Sequence, residues 1–168
     1  MRIIGQIKEL SLTPASDDRS SDLAQHMPTF IAYEGRWCGE FQHYSNDGKL
    51  LESHHGFVKH EFPQNGPFDH IQHSHFTWDD GHEQILQQQS IFSNGRLWWE
   101  SGSFQGCIWE TEFGNVLVNI SQTNSPRLCL NEIISPETNG NRRSRVRQWF
   151  KNGKLYKRTL CHERRINN

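Results

Sequence analysis

The sequence predicts an all-β chain, a single antiparallel up-and-down β-barrel of about eight to ten strands with a short N-terminal arm or helix. Three observations lead there. Tight-turn signals at Asn46-Asp47-Gly48, Asp80-Gly81, Asn94-Gly95 and Asn152-Gly153 recur between half-polar segments rich in β-branched and aromatic residues. Asn and Gly take the positive φ that primed hairpin turns require. The connections are short, and no long helical periodicity interrupts them. A meander this long has two edges to hide, and closure into a barrel hides both while leaving an interior for side chains or a guest.

Residues 1–30 contain Pro14, Pro28 and a polar cluster from Ser16 to Ser21, which reads as a loose arm with a short helix around Ser21–His26. Residues 31–168 form the barrel domain. Alternation and β-branched or aromatic content place strands at about 33–45, 49–62, 68–78, 83–93, 96–104, 106–113, 115–122, 127–135, 142–151 and 154–165. The longest connections, Pro63–Pro67 and Pro136–Asn141, are expected at a barrel mouth.

A chain of 168 residues suits one domain with a real core. Only 33 % of residues are hydrophobic, yet six Trp and ten Phe supply large rings in place of aliphatic side chains. The formal net charge of -1 gives no reason to expect nucleic acid or an anionic membrane as partner. No segment approaches the roughly 20 apolar residues of a membrane span, and Met1–Leu10 lacks a signal-peptide core, so a soluble cytoplasmic protein is expected. Trp residues on outward strand faces would suit a homodimer. Cys38, Cys107, Cys129 and Cys161 show no C-x-x-C spacing and read as reduced, small apolar residues.

Two-residue turns fix register, so faces can be assigned from the sequence. The first hairpin sets Phe41 opposite His54, Gly39 opposite Gly56 and Trp37 opposite Val58. Turns at Asp80-Gly81 and Asn94-Gly95 gather His70, Gln72, Ser74, Phe76, Trp78, Gln87, Gln89, Ile91, Trp98 and Glu100 on one face. Ile71, His73, His75, Leu86, Phe92, Leu97 and Trp99 share the other. The first set is preferred as the lumen because it mixes aromatic walls with a few polar groups. The last hairpin places Trp149 opposite Tyr156, Arg147 opposite Arg158, Arg145 beside Leu160 and Arg143 beside His162. Like charges across a ladder are unfavourable, so either Glu100, Glu110, Glu112 or Glu132 or an anionic ligand is expected between them, unless the stripe is a solvated outer face.

The first strand reads Glu34-Gly35-Arg36-Trp37-Cys38-Gly39-Glu40-Phe41, with Tyr44 following. Its Gly35-x-Trp37 step resembles the opening motif of the calycin superfamily, the lipocalins and their relatives. The resemblance implies that Trp37 closes one end of the barrel against an Arg of a late strand, Arg145, Arg147 or Arg158. The overall plan is similar to small bacterial calycin-like families, among them the S-type bilin lyases. The opening also resembles the G-x-W-x-G of nitrobindin-type haem barrels, but Glu40, Phe41 and Gln42 stand where those continue with glycine.

The function expected is a barrel that holds one small aromatic or amphipathic molecule, with Phe41, Gln72, Phe76, Trp78, Gln87, Gln89, Trp98, Arg145, Arg147, Trp149, Tyr156 and Arg158 as contacts and no resident cofactor. The alternative is a lyase, isomerase or cyclase in the same lumen, acting on a natural-product-like or tetrapyrrole substrate. Glu100 with His54 or His70 would then move the proton. A haem or metal barrel is a further alternative. His73-x-His75 places two imidazoles on one strand face but lacks the carboxylate that cupin-like metal steps carry, so exposed or hydrogen-bonded histidines are the simpler reading. No nucleophile elbow, P-loop or dinucleotide fingerprint occurs in the sequence.

Overall fold

A computed structural model describes residues 17–123 and 127–166; the arm before Asp17 lies outside the described residues. Two helices, α1 (Asp17–His26) and α2 (Pro28–Ile31), precede ten strands. These are β1 (Gly35–Ser45), β2 (Leu50–Glu61), β3 (His70–Thr77), β4 (Glu83–Ser93), β5 (Arg96–Ser101), β6 (Phe104–Glu110), β7 (Val116–Gln122), β8 (Leu128–Pro136), β9 (Arg142–Lys151) and β10 (Lys154–Ile166). Each pairs antiparallel with its neighbours in sequence, and β1 pairs with β10, which closes the barrel. Among the described residues no helix is long and apolar enough to cross a membrane.

The two helices plug one end. Pro28 opens α2 at a position where a missing N–H costs nothing. The free amides of Thr29 and Phe30 donate to the Glu110 carboxylate at 3.1 and 3.0 Å, which ties α2 to the end of β6. Leu23, Met27 and Phe30 enter the barrel and pack with Trp37, Phe92, Leu97, Ile108, Val116 and Ile134. The connections between β2 and β3 and between β8 and β9 lie at this plugged end, not at an open mouth as the sequence suggested. The up-and-down order puts them beside the turns at Gly95 and Gly114, which touch the helices at His26 and Thr29.

Three hairpins decide which side chains face inward. In the first, Asn46-Asp47-Gly48 is a three-residue loop closed by Ser45 and Lys49, and a bulge at His43/Tyr44 offsets the extra residue. The expected pairs Phe41↔His54, Gly39↔Gly56 and Trp37↔Val58 are therefore the observed ones. Between β3 and β4 the loop is also three residues, Asp79-Asp80-Gly81, but nothing offsets it. This slip of one residue turns Gln87, Gln89, Ile91, Trp98 and Glu100 to the outer face and brings Gln88, Ser90, Phe92, Leu97 and Trp99 inward. In the last hairpin Asn152-Gly153 forms the expected two-residue turn, with φ of 52° and 74°. A bulge at Tyr156 then shifts the register, so Arg147, Arg145 and Arg143 oppose Thr159, Cys161 and Glu163. Tyr156 and Arg158 leave the inner face.

Close approach requires Gly39, which faces the His162 carbonyl, and also Gly56 and Gly106. A Cβ on Gly56 would collide with the Phe41 ring, and one on Gly106 would lie 2.8 Å from the Trp99 indole. Each ring covers bare backbone of the neighbouring strand. Gly56→Val should lower stability by about 1–3 kcal/mol, read as a fall in the thermal midpoint by circular dichroism. An unchanged midpoint would contradict the Phe41 packing.

Candidate functional site

Toward the end of the barrel opposite the helices, its mouth, the inner wall carries charge. Across β8, β9, β10 and β1, one row runs Glu132, Arg147, Thr159 and His43. The row beneath runs Ile134, Arg145, Cys161, Phe41 and His54, and the next sets Arg143 against Glu163. Arg143 donates from Nε to Glu163, and Arg147 donates from Nε to Glu132 at 2.6 Å. Arg145 lies between the two carboxylates, with Nη1 3.4 Å from Glu163 and Nε 3.3 Å from Glu132. All five side chains are buried or nearly so.

This answers the compensation that the arginine stripe demands: Glu132 is one of the four carboxylates expected, and Glu163 joins it because the Tyr156 bulge turns it inward. Burial alone would raise the Glu132 pKa, but Arg145 and Arg147 outweigh it and hold the carboxyl below its ordinary range. Three guanidiniums face two carboxylates, so the layer keeps one positive charge in excess.

The arginines that meet Trp37 are others than those expected. Arg143 and Arg165 lie over the indole at 4.2 and 4.5 Å, because β9 and β10 place those two residues at the plugged end. Arg145 and Arg147 sit nearer mid-barrel, where Arg147 lies 4.9 Å over the Phe41 ring. Arg158 points away from the lumen and reaches the Asn46 carbonyl.

Four histidines form two buried pairs. At the plugged end Arg143 donates to His60 Nε2 at 3.2 Å, His60 Nδ1 lies 3.0 Å from His70 Nε2, and His70 Nδ1 lies 3.4 Å from Ser90 Oγ. Burial drives the His70 pKa to about 3 and, with Arg143 adding, holds His60 well below its usual value. Nearer the mouth His43 Nε2 lies 3.2 Å from His54 Nδ1, and His54 stacks 5.1 Å from Phe41 within 4.4 Å of Trp78. Burial again comes first in lowering these two, to about 3 for His43 and about 4 for His54, with Lys157 and Arg147 adding repulsion.

The remaining expected residues separate by face. Phe41, Gln72, Phe76, Trp78, Arg145, Arg147 and Trp149 line the interior, and Gln72 donates to Ser74 Oγ at 3.0 Å. Gln87, Gln89, Trp98, Glu100, Tyr156 and Arg158 do not. Of the proton-transfer candidates, His54 lies in the lumen, His70 is packed under Phe30, and Glu100 is exposed opposite Gln105. His73 and His75 are exposed and pair with Glu61 and Glu83 at 3.0 and 3.1 Å. Among the described residues no group of His, Cys, Asp and Glu is arranged to hold a metal ion. Burial pushes the Cys161 thiol up to about 12, so it is not a thiolate nucleophile.

Sequence reasoning missed Glu163, His43, Thr159, Leu86 and Trp99. Leu86 faces inward yet is 47 % exposed, and the inward Trp99, Ile120, Leu128 and Trp149 are only half-buried. β4 and β5 pair over only three residues each, so the mouth-side part of β4 is bonded on the β3 side alone and the wall beside Leu86 and Trp99 is open. Three buried donor nitrogens there and below make no hydrogen bond: Trp99 Nε1, Arg143 Nη2 and Arg145 Nε. A separate pocket of about 590 Å³ lies on the outer wall over the paired Gly39 and Gly56, edged by Cys38, Phe57, His55 and Arg142.

No family model and no curated protein matches the chain. Several solved structures share its fold. The S-type phycobiliprotein lyase CPES from Guillardia theta superposes with a TM-score of 0.64 at 12 % identity, over 91 % of this chain and 99 % of that one. A protein of unknown function of the DUF3598 family from Nostoc punctiforme gives 0.61 at 13 %; the match spans 81 % of this chain but 48 % of that protein. Rv2717c from M. tuberculosis gives 0.58 at 13 %, over 84 % and 97 %. The chain thus shares its closed antiparallel barrel fold with these proteins.

Two outcomes follow from the buried layer. Glu132→Gln leaves Arg145 and Arg147 short of one negative charge and should cost about 3–5 kcal/mol in urea unfolding. Because His43, His54, His60 and His70 have folded pKa values below their ordinary 6.5, the unfolded chain binds their protons first as pH falls. Stability should be complete above 6.5 and drain between 6.5 and about 3–4, and the part lost by pH 5 should be on the order of 1–2 kcal/mol per histidine. A flat urea midpoint from pH 7.5 to 5 would show that these imidazoles are not held neutral.

Proposed function

We propose that the barrel binds one small aromatic or amphipathic molecule with a negatively charged end, its ring system against Trp99, Trp149 and Leu86 and its charge toward the arginine layer. The observation that carries this reading is the character of the buried groups without hydrogen-bond partners. Apart from the hydroxyls of Tyr33 and Thr123, they are donors only, in an inner wall with a surplus positive charge: Trp99 Nε1, Arg145 Nε, which has an ion-pair contact to Glu132 at 3.3 Å but no hydrogen bond, and Arg143 Nη2 at the plugged end. Buried donors and unbalanced cations are costly unless an acceptor meets them. An anion with acceptor oxygens meets both demands.

The apolar side of the site supports the same reading. Inward aromatic and aliphatic side chains that remain in contact with solvent offer the wall a hydrophobic guest covers. Ten strands also enclose a wider interior than the roughly eight that side chains alone fill. The fold is shared with a phycobiliprotein lyase. Turnover by proton transfer is less favoured, since Glu100 lies on the outer face and His70 beneath the plug.

Two dyes of similar shape test this. Anionic anilinonaphthalene sulfonate should bind with quenching of Trp fluorescence, and Arg147→Gln should weaken it about 10-fold, the cost of one charged hydrogen bond. Neutral phenylnaphthylamine should change by less than about 2-fold in the same variant. Equal losses for both dyes, or none, would refute the charged floor.

A further inference from the structure

We propose that His54 presents a permanently oriented Nε2–H donor to the lumen, so that the bound molecule's buried end must be a hydrogen-bond acceptor, a carboxylate, sulfonate or carbonyl oxygen. The inference rests on the lumen-binding reading above and adds to it the group that recognises the guest. It follows from the direction of a hydrogen-bond chain through the wall.

Trp149 starts the chain. Its Nε1–H can only donate, and it donates to Thr159 Oγ1 at 2.8 Å. Thr159 is 1 % exposed, and among the described residues its hydroxyl makes one further hydrogen bond, with His43 Nδ1, at 2.8 Å. The hydroxyl hydrogen therefore goes to His43 Nδ1; the opposite assignment would bury it with no acceptor. His43 then carries its hydrogen on Nε2 and donates it to His54 Nδ1 at 3.2 Å. His54, neutral and accepting at Nδ1, is left with its hydrogen on Nε2. That nitrogen finds no acceptor among the described residues and is not among the enclosed unbonded atoms.

The surroundings keep His54 in this state. Phe41 stacks on it within 3° of parallel, and Phe76 and Trp78 close around it from β3, which fixes the ring plane. The charged and titratable groups around it are His43 from β1, Glu52 and His55 from β2, Arg147 from β9 and Lys157 from β10. Arg147 and Lys157 oppose a proton on the imidazole, and only Glu52 favours one. With one nitrogen accepting from His43 and the other already protonated, His54 is neither a free base nor an acid. A cationic or donor-only guest would face a donor and a guanidinium, so the same arrangement rejects it.

Two measurements on the full chain test this separately from the lumen-binding reading. Long-range proton–nitrogen correlation spectra of the labelled protein should show the Nε2–H tautomer at both His43 and His54, unchanged from pH 8 to 5, and Thr159→Val should mix the tautomers. An Nδ1–H tautomer at His54, or titration near its ordinary 6.5, overturns the proposal whatever binds. With anilinonaphthalene sulfonate, His54→Gln keeps an N–H near the Nε2 position and should bind within about 3-fold of wild type, while His54→Leu should lose about 10-fold. Equal binding by both variants overturns the donor role while leaving the arginine floor standing. Loss in both variants with native near-UV circular dichroism also overturns it. Absence of dye binding by the wild type refutes the lumen reading and this one with it, even if the tautomers are as stated.

Discussion

The run of alternating charges Arg143, Glu163, Arg145, Glu132 and Arg147 across β8, β9 and β10 is the constraint on which the rest of the structure depends. Neither carboxylate nor guanidinium tolerates burial alone, so each strand must present its charge at one height and on one face. The Tyr156 bulge makes this work. Without it Glu163 would face outward and His162 would oppose Arg143, leaving the arginines without their second anion. A local backbone irregularity thus sets the electrostatics of the interior.

The layer divides the barrel into two unlike halves. On the plugged side, α1 and α2 fill the interior with Leu23, Met27 and Phe30, and Trp37 stands between that packing and the guanidiniums of Arg143 and Arg165. On the mouth side no helix enters among the described residues, and the inner wall changes from ion pairs to half-exposed rings. The two histidine pairs belong one to each half. His60 and His70 stiffen the seal beneath Phe30, whereas His43 and His54 carry a fixed hydrogen-bond direction toward the mouth. Identical residue types pack under the helices in one place and line the mouth side of the interior in the other because of what surrounds them.

The Phe41–His54 pairing came out as expected because the bulge at His43/Tyr44 cancels the extra residue of the first loop, whereas the barrel and its strand number were legible in the sequence because turn residues and alternation are local signals. Half of the candidate lumen was not. Asp80-Gly81 reads as a two-residue turn, but Asp79 joins the loop, and that single residue exchanges Gln87, Gln89, Trp98 and Glu100 for Gln88, Ser90, Leu97 and Trp99. A bulge leaves no comparable mark: nothing about Leu155-Tyr156-Lys157 distinguishes it from a regular strand. Yet the like-charge argument over Arg143, Arg145 and Arg147 reached Glu132, since a demand for compensation survives an error of register.

By itself the sequence determined an antiparallel all-β meander, an aromatic-rich core and an arginine stripe in need of anions, because propensity, alternation and charge are written residue by residue. Only the tertiary structure decided which face became the lumen, which arginines met Trp37, and that His43 and His54 join in one directed chain. Those outcomes depend on strand register and closure, and period-two side-chain alternation turns a shift of one residue into a change of side for everything beyond it.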